Sequence, residues 1–156
     1  PPSCSGERVL NSLDECYRKE LLRRVEPSLE KARRSLQQSR VWQDEARKSL
    51  AAGAFRSVMV SSYNGYFHAA RAILYRDGLR EKSHLCIELY LGSYVTKGVL
   101  ERQWIAQFSR MRSARHMDLY SFTAAPSREE VESALRGAEA FLARMEALLA
   151  ATGPGE

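Results

Sequence analysis

The sequence predicts an all-α protein: an up-and-down antiparallel bundle of four core helices, with an N-terminal helix and a short extra helix added. Three observations predict it. Apolar residues recur at helical spacing along most of the chain. The five prolines (Pro1, Pro2, Pro27, Pro126 and Pro154) stay out of its middle. No stretch alternates apolar and polar residues as a half-buried strand does. At 156 residues, with 44% hydrophobic and 28% charged, the chain suits one soluble domain with a real core.

The N-terminal helix is expected over Glu7–Val25, where Val9, Leu10, Leu13, Cys16, Tyr17, Leu21 and Leu22 share a face. Ser12 and Glu15 have capping-box spacing, so the start falls as late as residue 12 on that signal. Pro27 suits the first turn of a second helix running to Ala52, and Gly53 ends it. The third helix, Phe55–Tyr75, is apolar nearly all round and belongs in the middle of the bundle. Its small residues, Ser61, Ser62, Gly65, Ala69 and Ala70, let neighbours approach closely, and Asp77-Gly78 reads as a turn. Ser83 caps a short helix from His84 to Tyr94, and Thr96-Lys97-Gly98 breaks it. The fifth helix begins near Val99 and turns Leu100, Trp104, Ile105, Phe108 and Met111 inward. After a loop over Ser121–Pro126, a second capping box, Ser127 with Glu130, opens the last helix, which runs to Ala150. The second, third, fifth and last helices are the expected core four. Residues 1–6 and 152–156 are expected to be disordered, with one helical domain over 7–151.

The net charge is +5, and Arg18–Lys48 holds ten Lys or Arg against five Asp or Glu, enough to account for it. That basic run is either a surface for nucleic acid or an acidic partner, or a solvated helix face laced with Glu–Arg pairs. The three cysteines, Cys4, Cys16 and Cys86, are odd in number and scattered. That pattern suits neither a disulfide framework nor a zinc site, and it points to a reducing cytosol, hence a cytoplasmic protein. No apolar run approaches the roughly 18 residues of a membrane span, so no membrane partner is expected.

Sequence motifs for phosphate loops, dinucleotides, metalloproteases and nucleophile elbows are missing. Glu81-x-x-His84 has metal-ligand spacing but stands alone in a turn, so neither a metal nor a cofactor is expected. His68, beside Phe67, reads as a satisfied core or interface histidine, and His84 as a local hydrogen-bonding residue next to its cap. The densest polar stretch is RMRSARHMDLY, Arg110–Tyr120, with three arginines, a histidine, an aspartate and a tyrosine. On a helix Arg112 and His116 share a face. Metal-free cleavage of RNA needs a group that takes the 2′-hydroxyl proton near neutral pH, and fixed positive charge for the phosphorane-like transition state. Histidine and arginine supply these. The other reading is a solvent-facing helix end whose basic residues offset its negative C-terminus.

Four segments carry a resemblance. SSYNGYFHAARAILYRDGL, Ser61–Leu79, is similar to the tyrosine-rich second helix of the HEPN domains (higher eukaryote and prokaryote nucleotide-binding). KSHLCIELYLGSYVTKGVL, Lys82–Leu100, matches that family's segment opening with K-S-H; RHMDLY, Arg115–Tyr120, looks like its R-x-x-A-D-Y with the aspartate one place early; the closing helix matches too. The chain most resembles small stand-alone prokaryotic members over about Leu29–Leu149. The resemblance implies a HEPN-like bundle that forms a homodimer, with a composite cleft where an R-x(4–6)-H motif cleaves RNA. It also implies a toxin role beside a minimal nucleotidyltransferase antitoxin that modifies a tyrosine after the histidine. Arg110 and His116, with five residues between them, fit the catalytic spacing. Arg112, Arg115 and Tyr120 are the expected substrate-binding residues. The alternative is a non-catalytic module that binds RNA, a nucleotide or a partner protein.

Overall fold

A computed structural model describes residues 12–120 and 124–153. In chain order the elements are α1 (Leu13–Arg18), β1 (Leu22–Arg24), α2 (Leu29–Ala51), α3 (Phe55–Asp77), β2 (Leu79–Glu81), α4 (His84–Thr96), α5 (Arg102–Tyr120) and α6 (Arg128–Ala151). The fold is an all-α helical bundle carrying one small antiparallel ribbon.

Helix α3 is the central element, packed by α2, α5 and α6. Its buried face includes Val58, Tyr63, Tyr66, Ala69, Ala70 and Ile73. Polar side chains fasten α2 to it: Ser39 Oγ donates to the Gly65 carbonyl at 2.7 Å, and Ser35 Oγ to the His68 carbonyl at 2.7 Å. Such bonds inside a bundle give buried hydroxyls their partners. A Cβ on Gly137 of α6 would lie 2.3 Å from the Tyr66 hydroxyl, so α6 meets α3 closely there. The α6 capping box is complete, with Glu130 N–H donating to Ser127 Oγ and Ser127 N–H to Glu130 Oε2.

At the far end of α3, Gly78 takes a left-handed conformation (φ 78°) and stops the helix. Next to it lies a buried polar network that sequence reading took for a plain turn. Arg76 pairs with Asp77 at 2.8 Å and donates to the Leu149 and Thr152 carbonyls, so α3 grips the end of α6. The Tyr90 and Tyr94 hydroxyls of α4 both donate to Asp77.

Several expectations are corrected. The first helix does not run to Val25: α1 ends at Arg18, Glu20 adopts φ 56°, and the chain enters β1. Residues 7–11 of that expectation, the tails 1–6 and 154–156, and 121–123 of the loop lie outside the described residues. The ribbon pairs Leu22 with Glu81 and Arg24 with Leu79. Three-residue strands are too short to leave an alternating pattern, and Leu22 and Leu79 both bury against the bundle. The cysteine reading is corrected too. Cys16 of α1 is bonded to Cys86 of α4 across 70 residues of sequence. The odd count concealed the pair, and the inference to a reducing cytosol loses its ground. Helix α5 starts at Arg102 rather than near Val99, although Leu100 is buried just before it. No helix among the described residues is long and apolar enough to cross a membrane.

The basic run resolves toward its plainer alternative on α2, where Arg34 pairs with Glu30, Arg40 with Glu146, and Arg47 with both Asp44 and Glu139.

Candidate functional site

Helix α5 is anchored by its first half. Phe108 and Met111 are its buried residues, and nothing beyond Met111 is fully enclosed. The second half therefore projects polar side chains along the start of α4. Arg112, Arg115 and His116 fall within four positions and share one side of the helix. Together with His84, Ser113 and Met117 they line an open cleft of about 630 Å³.

The two arginines of this cleft differ. Arg112 Nε sits 2.6 Å from Oε1 of Glu88, a nearly buried carboxylate on α4. Arg115 has no carboxylate partner among the described residues. Its guanidinium lies 5.3 Å over the ring of Tyr63, a cation–π contact, and its Nε is buried without a hydrogen-bond partner. A buried donor left unmatched costs about 1–3 kcal/mol.

Behind the arginines lies His84. Ser83 Oγ accepts from the Cys86 N–H and fixes the helix start, so His84 takes the first helical position. Its Nδ1 is 2.5 Å from the Tyr63 hydroxyl, and its ring stacks on Phe67 at 4.5 Å. Burial, with Arg115, Arg112 and Arg71 close by, holds its pKa below the ordinary histidine value. Burial raises the Tyr63 phenol. Sequence reading gave His84 a purely local role; the signal that marks it is the K-S-H opening of α4.

His116 is exposed, and its ring lies 4.9 Å from that of Tyr120, itself 69% exposed. Arg110 is turned away. It lines a separate hollow of about 480 Å³ with Tyr66, Trp104, Gln107 and Arg136, against α6. One chain thus brings Arg112, Arg115 and His116 into one cleft, sets Tyr120 beside His116, and leaves Arg110 on another face. His68 is half-buried in a third groove beside Lys31, Arg34 and Arg71. Among the described residues no three His, Cys, Asp or Glu side chains gather as a metal site would require.

A family model described as the HEPN domain matches residues 25–148, most of the chain, spanning α2 to α6. The chain belongs to the HEPN family. The match begins after β1, so this HEPN protein carries α1, β1 and Cys16 ahead of the shared region. No curated protein sequence matches it.

Proposed function

We propose that this HEPN protein, with residues 7–151 acting as one domain, is a metal-independent endoribonuclease that binds RNA at the α5 cleft. The observation that carries the reading is the convergence of Arg112, Arg115 and His116 on one open, positively charged cleft. Two guanidiniums suit the equatorial oxygens of a phosphorane. His116, exposed at the rim, takes the 2′-hydroxyl proton as the 2′-oxygen bonds to phosphorus; the bond from phosphorus to the 5′-oxygen breaks, the 2′,3′-cyclic phosphate closes, and the 5′-oxygen leaves as a hydroxyl with the proton returned by His116. In the proposed homodimer the α5 helices of two protomers meet, and Arg110 serves the cleft of its partner. In the cell the protein acts as a toxin, held in check by a minimal nucleotidyltransferase whose target is Tyr120. Expression of the wild type then arrests growth and degrades RNA, and His116→Ala relieves both. A harmless wild type that leaves RNA intact ends the enzyme reading.

A second reading keeps the cleft and drops the chemistry: a binding module for RNA, a nucleotide or the nucleotidyltransferase. What favours it is the engagement of Arg112 by Glu88 and the turning away of Arg110. Under it Arg115→Ala weakens binding and no cleavage accompanies the wild type.

A further inference from the structure

Tyr63 and His84 form a buried pair at the back of the α5 cleft, and neither has a part in the cleavage scheme above. Tyr63 is fully enclosed, yet its ring stands against Phe108 on one side and His84 on the other. A phenol shut away from water must give its proton to some acceptor. Among the described residues the acceptor within reach is His84 Nδ1 at 2.5 Å. That bond decides the tautomer, because a ring nitrogen that accepts leaves the other nitrogen carrying the N–H.

The charged groups around the ring point the same way. Arg71 of α3, and Arg112 and Arg115 of α5, all disfavour a further cation at His84. The nearby carboxylates are taken: Glu81 of β2 pairs with Arg71 at 2.9 Å, and Glu88 of α4 with Arg112 at 2.6 Å. His116 and His84 both line the cleft, but only His84 is clamped, by Phe67 stacking on one face and the Tyr63 hydrogen bond at one edge. The result is an uncharged donor of fixed direction, set next to Arg115, the guanidinium without a carboxylate.

We propose that Tyr63 locks His84 as an Nε2–H donor, and that this N–H binds a phosphate oxygen of the RNA backbone beside the Arg115 guanidinium. The arginines supply the charge. His84 supplies a neutral donor of fixed direction, and it adds no further cation to a crowded site. The inference rests on RNA being the ligand of the cleft.

Two measurements on the full chain test it. The first is side-chain nitrogen NMR of histidine in the free protein. His84 is expected as the Nε2–H tautomer across about pH 6 to 8, and Tyr63→Phe is expected to release it. A wild-type His84 that carries its proton on Nδ1 overturns the proposal whatever the protein does to RNA. The second is binding of fluorescein-labelled octauridylate. His84→Leu is expected to weaken it by about tenfold, the loss of one hydrogen bond to a charged group, and His84→Gln, which keeps an N–H donor, to restore most of it. If His84→Leu does not fold, Tyr63→Phe, which keeps the ring packed, is expected to weaken binding several-fold. Wild-type affinity in whichever of these two variants folds overturns the proposal. If the wild type binds no octauridylate, the RNA reading fails by itself. Inorganic phosphate then decides: a phosphate-dependent shift of the His84 Nε2 resonance sustains the oxyanion role, and its absence overturns it.

Discussion

Arg112 of α5 and Glu88 of α4 face each other at 2.6 Å, so one of the two cleft arginines is already half-neutralised by a buried carboxylate. The pair holds α5 to α4 and restrains the cleft's positive charge at the same time. Glu88→Gln separates these effects. It is expected to tighten binding of single-stranded RNA several-fold, and to steepen the slope of log K against log salt by about 0.7 as one more phosphate is neutralised. Fluorescence anisotropy across a salt series checks it; a slope equal to that of the wild type means Arg112 never faces the ligand.

Arg115 and Arg110 lie on different faces of α5, and their alanine variants are expected to part company. Arg115→Ala removes the cleft guanidinium that has no carboxylate partner among the described residues, and is expected to weaken RNA binding by about tenfold or more. Arg110→Ala is expected to leave binding by a single chain nearly unchanged and to lower cleavage only where two protomers share a site. Binding and cleavage assays on both variants, alongside sedimentation of the wild type, distinguish the cases.

The Cys16–Cys86 bond closes a loop of 70 residues. Chain-entropy reasoning assigns such a bond about 4 kcal/mol, an upper figure where the reduced chain keeps residual structure. A reducing agent, or Cys16→Ser, is expected to lower the thermal midpoint by roughly 10 °C for a domain of this size. Calorimetry with and without dithiothreitol measures it.

His68 sets a pH dependence of stability. Burial, with Arg71 nearby, lowers its pKa from 6.5 to about 4. The unfolded chain therefore takes up a proton on this ring at higher pH than the folded one. Stability is full above about pH 6.5 and falls as pH drops toward 4, because the unfolded state binds more protons in that window. His84, shifted the same way, adds to the trend. Urea midpoints through this range are expected to decline with acidification, and more gently in His68→Gln.

The helices were legible because each rests on many weak signals that agree. The stripe of α6 from Val131 to Leu148, the all-round apolar character of α3, and the caps at Ser12, Ser83 and Ser127 all mark elements that form. What stayed hidden depends on partners far apart in sequence. Leu22 and Leu79 meet in strands too short for a period, and Cys16 meets Cys86 only where α1 packs on α4. The candidate site divides in the same way. Arg112, Arg115 and His116 share a face by helical arithmetic, which sequence alone supplies. Arg110 satisfies the family spacing but turns toward α6, and His84 joins the cleft through Tyr63, a partner 21 positions away.

The segment before residue 25 lies outside the HEPN match, yet it holds both flanks of His84. On one side β1 pairs with β2, three residues upstream of the histidine; on the other, Cys16 bonds Cys86, two residues downstream. This N-terminal piece works as a splint on the short stretch that aims the imidazole. Its described residues, 12–24, contribute no side chain to the cleft lining. Cutting the Cys16–Cys86 bond or unpairing β1 from β2 would loosen the backbone on either side of His84 while leaving every residue of the cleft lining in place.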